Sequence, residues 1–454
     1  MRTRPVRRLA RHLAIGCAAL ALTIAPAVTA PAATAGVHRT GTLADGATWV
    51  ADVPAHWNGT LLLFAHGYGP ARAQDAPDPA TGAALLAEGY ALAGSSYDPH
   101  GSQWALGSAV RDQFATLDAF TADLGRPRRT LSVGQSMGGL VNARIAARPH
   151  GRIAGALGLC GLVAGGLDLN DYQLAGETAL AALLAPDERI PLTGYPDAAA
   201  ATAAANSLTA AVVSAQRTPQ GRARIALASA YLNLPSWAAG QDPPGAGDPA
   251  GQEAQQYRWL ASGQLGFIMS ARYAVEQAAG GDSGSTEGVN WAALLARSSR
   301  RGEVRALYRA AGLDLDTDLG ALSRTPAHRA DPAATRWTAR TSTAGGRLGV
   351  PLLDLHTTAD PLVPAEQETA FAARVRAHGD DRLLRQAFAA RPGHCAFTPQ
   401  EILAALHALV RRLDTGHWPG TGAAALAADQ PAGTTAFTDR RPGRLVTPDR
   451  RRTR

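Results

Sequence analysis

The chain has 454 residues, 46% of them hydrophobic, which is enough to bury one large core or two ordinary ones and excludes a disordered or fibrous protein. Its formal charge of +7 invites a nucleic-acid reading, but the charge sits at the ends. Five arginines fall within the first eleven residues and the last fifteen carry a net +6, so the body between is about −4 and no nucleic-acid partner is expected.

Residues 1–35 read as a secretory signal peptide. Arg2, Arg4, Arg7, Arg8 and Arg11 precede an apolar run from Leu13 to Val28, and Ala33-Thr34-Ala35 offers a small-residue cleavage site. The run is short for a membrane span, so no integral membrane segment is expected once it is removed, and the mature protein is expected to be extracellular. The arginine pair does not separate Sec from twin-arginine export. Cys17 leaves with this segment, and the remaining Cys160 and Cys395 are expected to form a disulfide, as paired cysteines do in exported proteins.

From Val37 the chain alternates around Asp45-Gly46, a hairpin pattern. Thr60 to Ala65 is a continuous apolar run suited to a strand buried on both faces, and it ends in His66-Gly67-Tyr68-Gly69. A helix is predicted near Pro79 to Glu88, then a strand from Tyr90 to Ser95 and a loop with Tyr97, Asp98 and Trp104. The next helix carries Val110, Phe114, Leu117, Phe120 and Leu124 on one stripe and stops at Gly125. Leu131-Ser132-Val133-Gly134 is a short strand, and Leu140, Val141 and Ile145 have helical spacing, so Ser136 stands at a sharp strand-to-helix turn flanked by Gly134 and Gly138. A further strand, Ile153 to Leu159, ends at Cys160. This strand–helix rhythm predicts an α/β fold with a mostly parallel sheet flanked by helices.

From residue 164 to residue 348 the rhythm breaks into alanine-rich helical stretches separated by Pro/Gly segments, read as a large helical cap inserted before the acid-bearing strand. The core resumes at Val350 to His356, which a parallel sheet needs. Asp360 follows in Ala359-Asp360-Pro361-Leu362-Val363-Pro364; Asp354, inside the strand, is the less suited acid. After a strand near Leu383 to Ala389, His394 precedes Thr398-Pro399-Gln400-Glu401, a capping box that opens the last core helix. The expected domains are therefore 1–35 signal peptide, 36–163 with 349–415 core, 164–348 cap, and 416–454 a Pro/Gly/Arg-rich tail with little order.

Gly134-Gln135-Ser136-Met137-Gly138, Asp360 and His394, in that chain order, resemble the α/β-hydrolase superfamily, and the resemblance covers roughly residues 40–163 and 349–413. It implies Ser136 as nucleophile, His394 as base and Asp360 as the acid that orients it. It also implies an oxyanion hole from the backbone N–H groups of Met137 and Tyr68. His66 is expected to shape its turn and not to titrate in catalysis. Tyr97, Trp104 and Gln135 are candidates for the pocket wall. Tannases and fungal-type feruloyl esterases are similar in placing Cys directly after the catalytic His, but Gln135 stands where they have the partner Cys.

Two other motifs are set aside. Gly281-Asp282-Ser283-Gly284 lacks the strand-rich context of a trypsin-like serine, and Asp314, Asp316 and Asp318 lack the glycine and glutamate of a calcium loop. No zinc spacing or phosphate-cradling loop occurs, so no cofactor or metal is expected. The expected partner is a small-molecule ester, cleaved through an acyl-enzyme; oligomeric state is not readable. A proline-aminopeptidase type of peptidase is the alternative enzyme, requiring an acid such as Glu177, Asp187 or Glu188 to grip a free amine. A silent binding protein on the same scaffold is the alternative outside enzymes.

Overall fold

In the computed structural model the described residues are 36–449, so the expected leader, with Cys17, lies outside them. Nine strands form one sheet in the order β1-β2-β4-β3-β5-β6-β7-β8-β9. The strands are β1 (Val37–Thr42), β2 (Thr48–Val53), β3 (Thr60–Ala65), β4 (Ala91–Ser95), β5 (Arg129–Gln135), β6 (Gly155–Leu159), β7 (Leu352–Ala359), β8 (Leu384–Pro392) and β9 (Phe437–Thr438). β3 through β8 run parallel, while β1, β2 and β9 pair antiparallel at the two edges. β3, β4 and β6 are largely apolar because helices cover both faces, and β4 and β6 are buried along their whole length. This strand order with parallel crossovers is the α/β-hydrolase fold.

Helices α1 (Pro79–Ala87), α2 (Ala109–Leu124) and α3 (Met137–Ala147) connect the first parallel strands. Between β6 and β7 come α4 (Gly166–Leu184), α5 (Ala198–Ala215), α6 (Pro219–Tyr231), α7 (Pro249–Trp259), α8 (Leu265–Ala279), α9 (Trp291–Arg297), α10 (Arg301–Ala310), α11 (Leu315–Arg324) and α12 (Pro332–Thr341). They bury a separate core that includes Leu180, Leu208, Ile225, Tyr231 and Met269. α5 is the one described helix long and apolar enough to cross a membrane, yet its stripe of Ala201, Ala204, Leu208 and Val212 is packed into that core. The two motifs set aside have local structural roles here. Asp282 accepts from the Gly284 N–H, Asp314 caps α11, and Asp318 pairs with Arg224 at 2.8 Å.

After β7 come α13 (Glu366–Ala377), α14 (Pro399–Thr415) and the short α15 (Ala423–Ala427). The capping box at Thr398 and Glu401 is present, and Gly416 ends α14 in a left-handed conformation. The expectation of little order beyond residue 416 is corrected as far as residue 449. β9 pairs with β8, Asn233 exchanges two hydrogen bonds of 2.8 Å with the backbone of Val446, and Leu445 and Val446 are buried. Composition suggested a solvated end, but two apolar residues and a buried asparagine on α6's C-terminal turn hold it.

Burial pushes Glu253 and Glu303 up to about 7, well above a free carboxyl. The unfolded chain releases these protons first as pH rises, so each group costs stability progressively between about 4.5 and 7, on the order of 3 kcal/mol by pH 8. Glu303→Gln should therefore flatten the fall in melting temperature from pH 5 to pH 8; an unchanged fall would contradict this account.

Candidate active site

β5 delivers Ser136 with φ 57° and ψ −121°, a strained conformation at the turn into α3. The flanking glycines are required by contact. A Cβ on Gly134 would lie 2.1 Å from the Gly138 carbonyl oxygen, and one on Gly138 would lie 1.9 Å from that of Ala65. Cys160 and Cys395, at φ 46° and 52°, add two more left-handed residues close by.

His394, in the loop after β8, places Nε2 2.8 Å from Ser136 Oγ and Nδ1 2.7 Å from Asp360 Oδ2. Asp360 is buried, and its Oδ1 accepts the N–H groups of Leu362 and Val363, each at 2.9 Å. An ionised carboxylate only accepts, so Nδ1 carries the proton and Nε2 is left to accept the serine hydroxyl. Asp354 is elsewhere. It is fully buried on β7 beside Glu368, and burial together with that neighbour pushes it well above the usual carboxylate range.

A Cβ on Gly67 would come within 3.2 Å of the Ser136 Cβ, so the β3 turn runs against the nucleophile. The Tyr68 N–H follows in that turn and the Met137 N–H opens α3; neither donates to another group among the described residues. His66 is stacked on Tyr97 with centroids 4.0 Å apart, and its Nδ1 lies 2.7 Å from the Gly67 carbonyl. Burial lowers its pKa, in keeping with a structural ring.

A small cavity covers Ser136 and His394. Its apolar wall includes Tyr68, Trp104, Leu169, Phe267, Ile268 and Val363. Trp104 is thus in the wall, with its indole N–H donating to Ser342 Oγ at 3.1 Å. Tyr97 and Gln135 are not, which corrects that expectation. Tyr97 is fully buried behind the β3 turn, where its hydroxyl donates to the His66 carbonyl at 3.0 Å, and Gln135 is the last residue of β5, outside the lining. The residues that sequence reading missed come from α4 and α8: Asn170, Gln173 and Arg272 give the cavity its polar groups. Helical spacing marks these as facing positions but does not say what they face. Glu177 is buried in an ion pair with Arg272, while Asp187 and Glu188 are exposed. A larger cavity of about 740 Å³ lies apart, between Trp237, Arg300, Glu303, Thr358 and Arg441, and neither Ser136 nor His394 lines it.

Cys160 and Cys395 form a disulfide with Cα atoms 5.4 Å apart, joining the end of β6 to the residue after His394. With both sulfurs bonded to each other and His394 engaged by Ser136 and Asp360, this cluster of possible metal ligands is already committed.

Fold and site together define the class: the protein is an enzyme with the α/β-hydrolase fold, a hydrolase. It is similar to known hydrolases. It is similar to an o-phthalyl amidase of Xanthobacter agilis, 29% identical over 405 residues that cover 84% of this chain and 88% of the relative. Among solved structures it is similar to an esterase of Pyrococcus furiosus (12% identity, TM-score 0.39, covering 85% of this chain and 92% of that one). An esterase of Rhodococcus is similar at 16% identity and TM-score 0.36, over 83% and 99% of the two chains. A serine hydrolase of Cycloclasticus is similar at 15% identity and TM-score 0.37, over 84% and 98%. No family model matches the chain.

The bridge closes a loop spanning 235 positions, for which chain entropy allows up to about 5 kcal/mol of stabilisation. Peptide mapping without reductant should recover the Cys160–Cys395 cross-link, and reduction should lower the melting temperature and the activity together. Recovery of two free thiols from oxidised, folded protein would refute the bridge.

Proposed function

We propose that the protein is a serine hydrolase that cleaves a small carboxylic ester through an acyl-enzyme. The supporting observation is the continuous hydrogen-bonded chain Ser136–His394–Asp360. His394 takes the Ser136 proton as Oγ attacks the substrate carbonyl, Asp360 steadies the resulting imidazolium, and the Met137 and Tyr68 N–H groups receive the oxyanion. His394 then returns the proton to the departing alcohol. Water, activated by the same ring, attacks the acyl group on Ser136 and releases the acid. We further propose that the α4 and α8 segments act as a cap that sets acyl-group selectivity, and that residues 1–35 direct export.

An amide substrate is the second reading, favoured by the relative named an o-phthalyl amidase. The aminopeptidase reading has less support. Among the described residues no carboxylate lines the cavity to grip a free amine, and Glu177, the best placed acid, is engaged by Arg272.

A fluorophosphonate probe should label the wild-type protein at Ser136, and Ser136→Ala should abolish labelling while leaving the circular dichroism spectrum unchanged. Loss of roughly 10⁴-fold or more in aryl-ester turnover is expected for that variant. Retained turnover, or an unlabelled wild-type serine, would overturn the assignment and return the silent-scaffold alternative. Comparing kcat/KM on a short aryl ester series and on an o-phthalyl amide separates ester from amide preference.

A further inference from the structure

A second histidine stands behind the acid. His356, two residues after Asp354 on β7, is fully buried. Its Nε2 lies 2.8 Å from the Val363 carbonyl oxygen, which can only accept, so Nε2 bears a proton. Its Nδ1 lies 2.9 Å from Glu368 Oε1, and the other oxygen of Glu368 accepts from Gln386 Nε2 at 2.7 Å. The same Nε2 is 3.8 Å from Asp360 Oδ2, the oxygen that holds His394. Asp360 therefore lies between two imidazoles. Val363 ties both sides together, its N–H donating to Asp360 Oδ1 and its carbonyl accepting from His356.

The charge count selects the state of this ring. Glu368 and Asp360, both buried, lie within 4 Å of it, and two buried carboxylates without a counter-charge would be costly. Burial, with the charge and hydrogen bond of the neighbouring Glu368, raises the pKa of Asp354, which favours its neutral form. β8 offers only the uncharged Gln386, and α4 offers Tyr172, whose hydroxyl meets Gln367. The nearby cations on α10's N-cap and on α13 are engaged, Arg300 by Glu366 at 3.4 Å and Arg374 by Asp168 at 3.5 Å. Burial alone would lower the pKa of His356, but the Glu368 contact and charge, Asp360 and the Val363 carbonyl together raise it.

We propose that His356 is a positioning residue: a buried imidazolium that locks the Asp360 loop through Val363 and, as a fixed positive charge behind Asp360, keeps resting His394 unprotonated. The inference rests on the serine-hydrolase reading above. It assigns no contact with substrate to His356; the ring acts through Asp360.

The test is the pH dependence of kcat/KM on an aryl ester for wild type, His356→Gln and Glu368→Gln. The acidic limb reports protonation of the base in the free enzyme. Removing the positive charge should move that limb upward by about one unit in His356→Gln; in Glu368→Gln the ring loses its charge but a carboxylate leaves with it, so the limb moves in the same direction by less. On the alkaline plateau kcat should fall by about tenfold with KM little changed, as misplacement of the acid predicts. A role confined to packing would lower stability or kcat without moving the limb, so an unmoved limb in the folded variants overturns the proposal. If His356→Gln does not fold, Glu368→Gln and the wild-type ring carry the test: both His356 ring nitrogens should show protonated ¹⁵N shifts at pH 7, and one unprotonated nitrogen overturns it. Fluorophosphonate labelling keeps the two readings apart. A wild-type protein labelled at Ser136 whose variants show no shift refutes the role of His356 alone, whereas an unlabelled Ser136 refutes the underlying assignment.

Discussion

The structure depends on how closely backbone can approach backbone at the end of β5. Ser136 reaches the sheet edge only because Gly134 lets the Gly138 carbonyl fold over it and Gly138 lets α3 press onto the end of β3. A methyl group at either position would overlap main-chain oxygen, which cannot move without displacing a central strand. From that contact follow the strained dihedrals of Ser136, the start of α3 with a free Met137 N–H, and the nearness of the Gly67–Tyr68 turn. The parallel order of β3, β5, β6, β7 and β8 then aims the remaining groups at the same edge. Asp360 follows β7, His394 follows β8, and Cys160, ending β6, ties the histidine loop down.

Beneath that edge lies an unusual density of buried charge. Asp354, His356, Asp360 and Glu368 are all at most 2% exposed and interleave on one face of β7 and α13. An isolated ion there would be strongly disfavoured, but linked donors and acceptors distribute the cost, and removing one member leaves another unpaired. This explains why a buried strand that begins Leu352-Leu353 tolerates the acid Asp354 and the base His356 within it. It also means that the acid of the site is held by a network, not by a single turn.

Most of the sheet was legible because parallel strands declare themselves as apolar runs and their connections as amphipathic stripes. The hairpin at Asp45-Gly46, the stop at Gly125 and the capping box at Thr398 are each local chemistry with one favoured outcome. Ser136, Asp360 and His394 could be picked out because each follows its own strand. What was not legible depended on tertiary facing. Tyr97 looked like a pocket residue but stacks on His66, and Gln135 looked close to substrate because it precedes the serine, although strand alternation turns it away. His356 left a signal that is clear in retrospect: a polar pair, Asp354 and His356, at period two inside a buried strand. The tail past residue 416 misled because Pro, Gly and Arg dominate its composition, while two apolar residues and Asn233 decide its placement.

On the proposed mechanism, the charge behind Asp360 bears on which bond the enzyme can break. An alkoxide leaves an ester with modest help, but an amine must be protonated as it departs, so the acidity of the imidazolium limits amide cleavage more than ester cleavage. On the same proposal, a fixed cation beyond Asp360 would favour transfer of the proton from His394 to the leaving group. It weakens the ring as a base by the same amount, a cost that falls on attack by Ser136. Oxyanion stabilisation by the Met137 and Tyr68 amides can offset that cost, since it acts on the same step. A buried His356 is therefore of most use where departure of the leaving group is the difficult step.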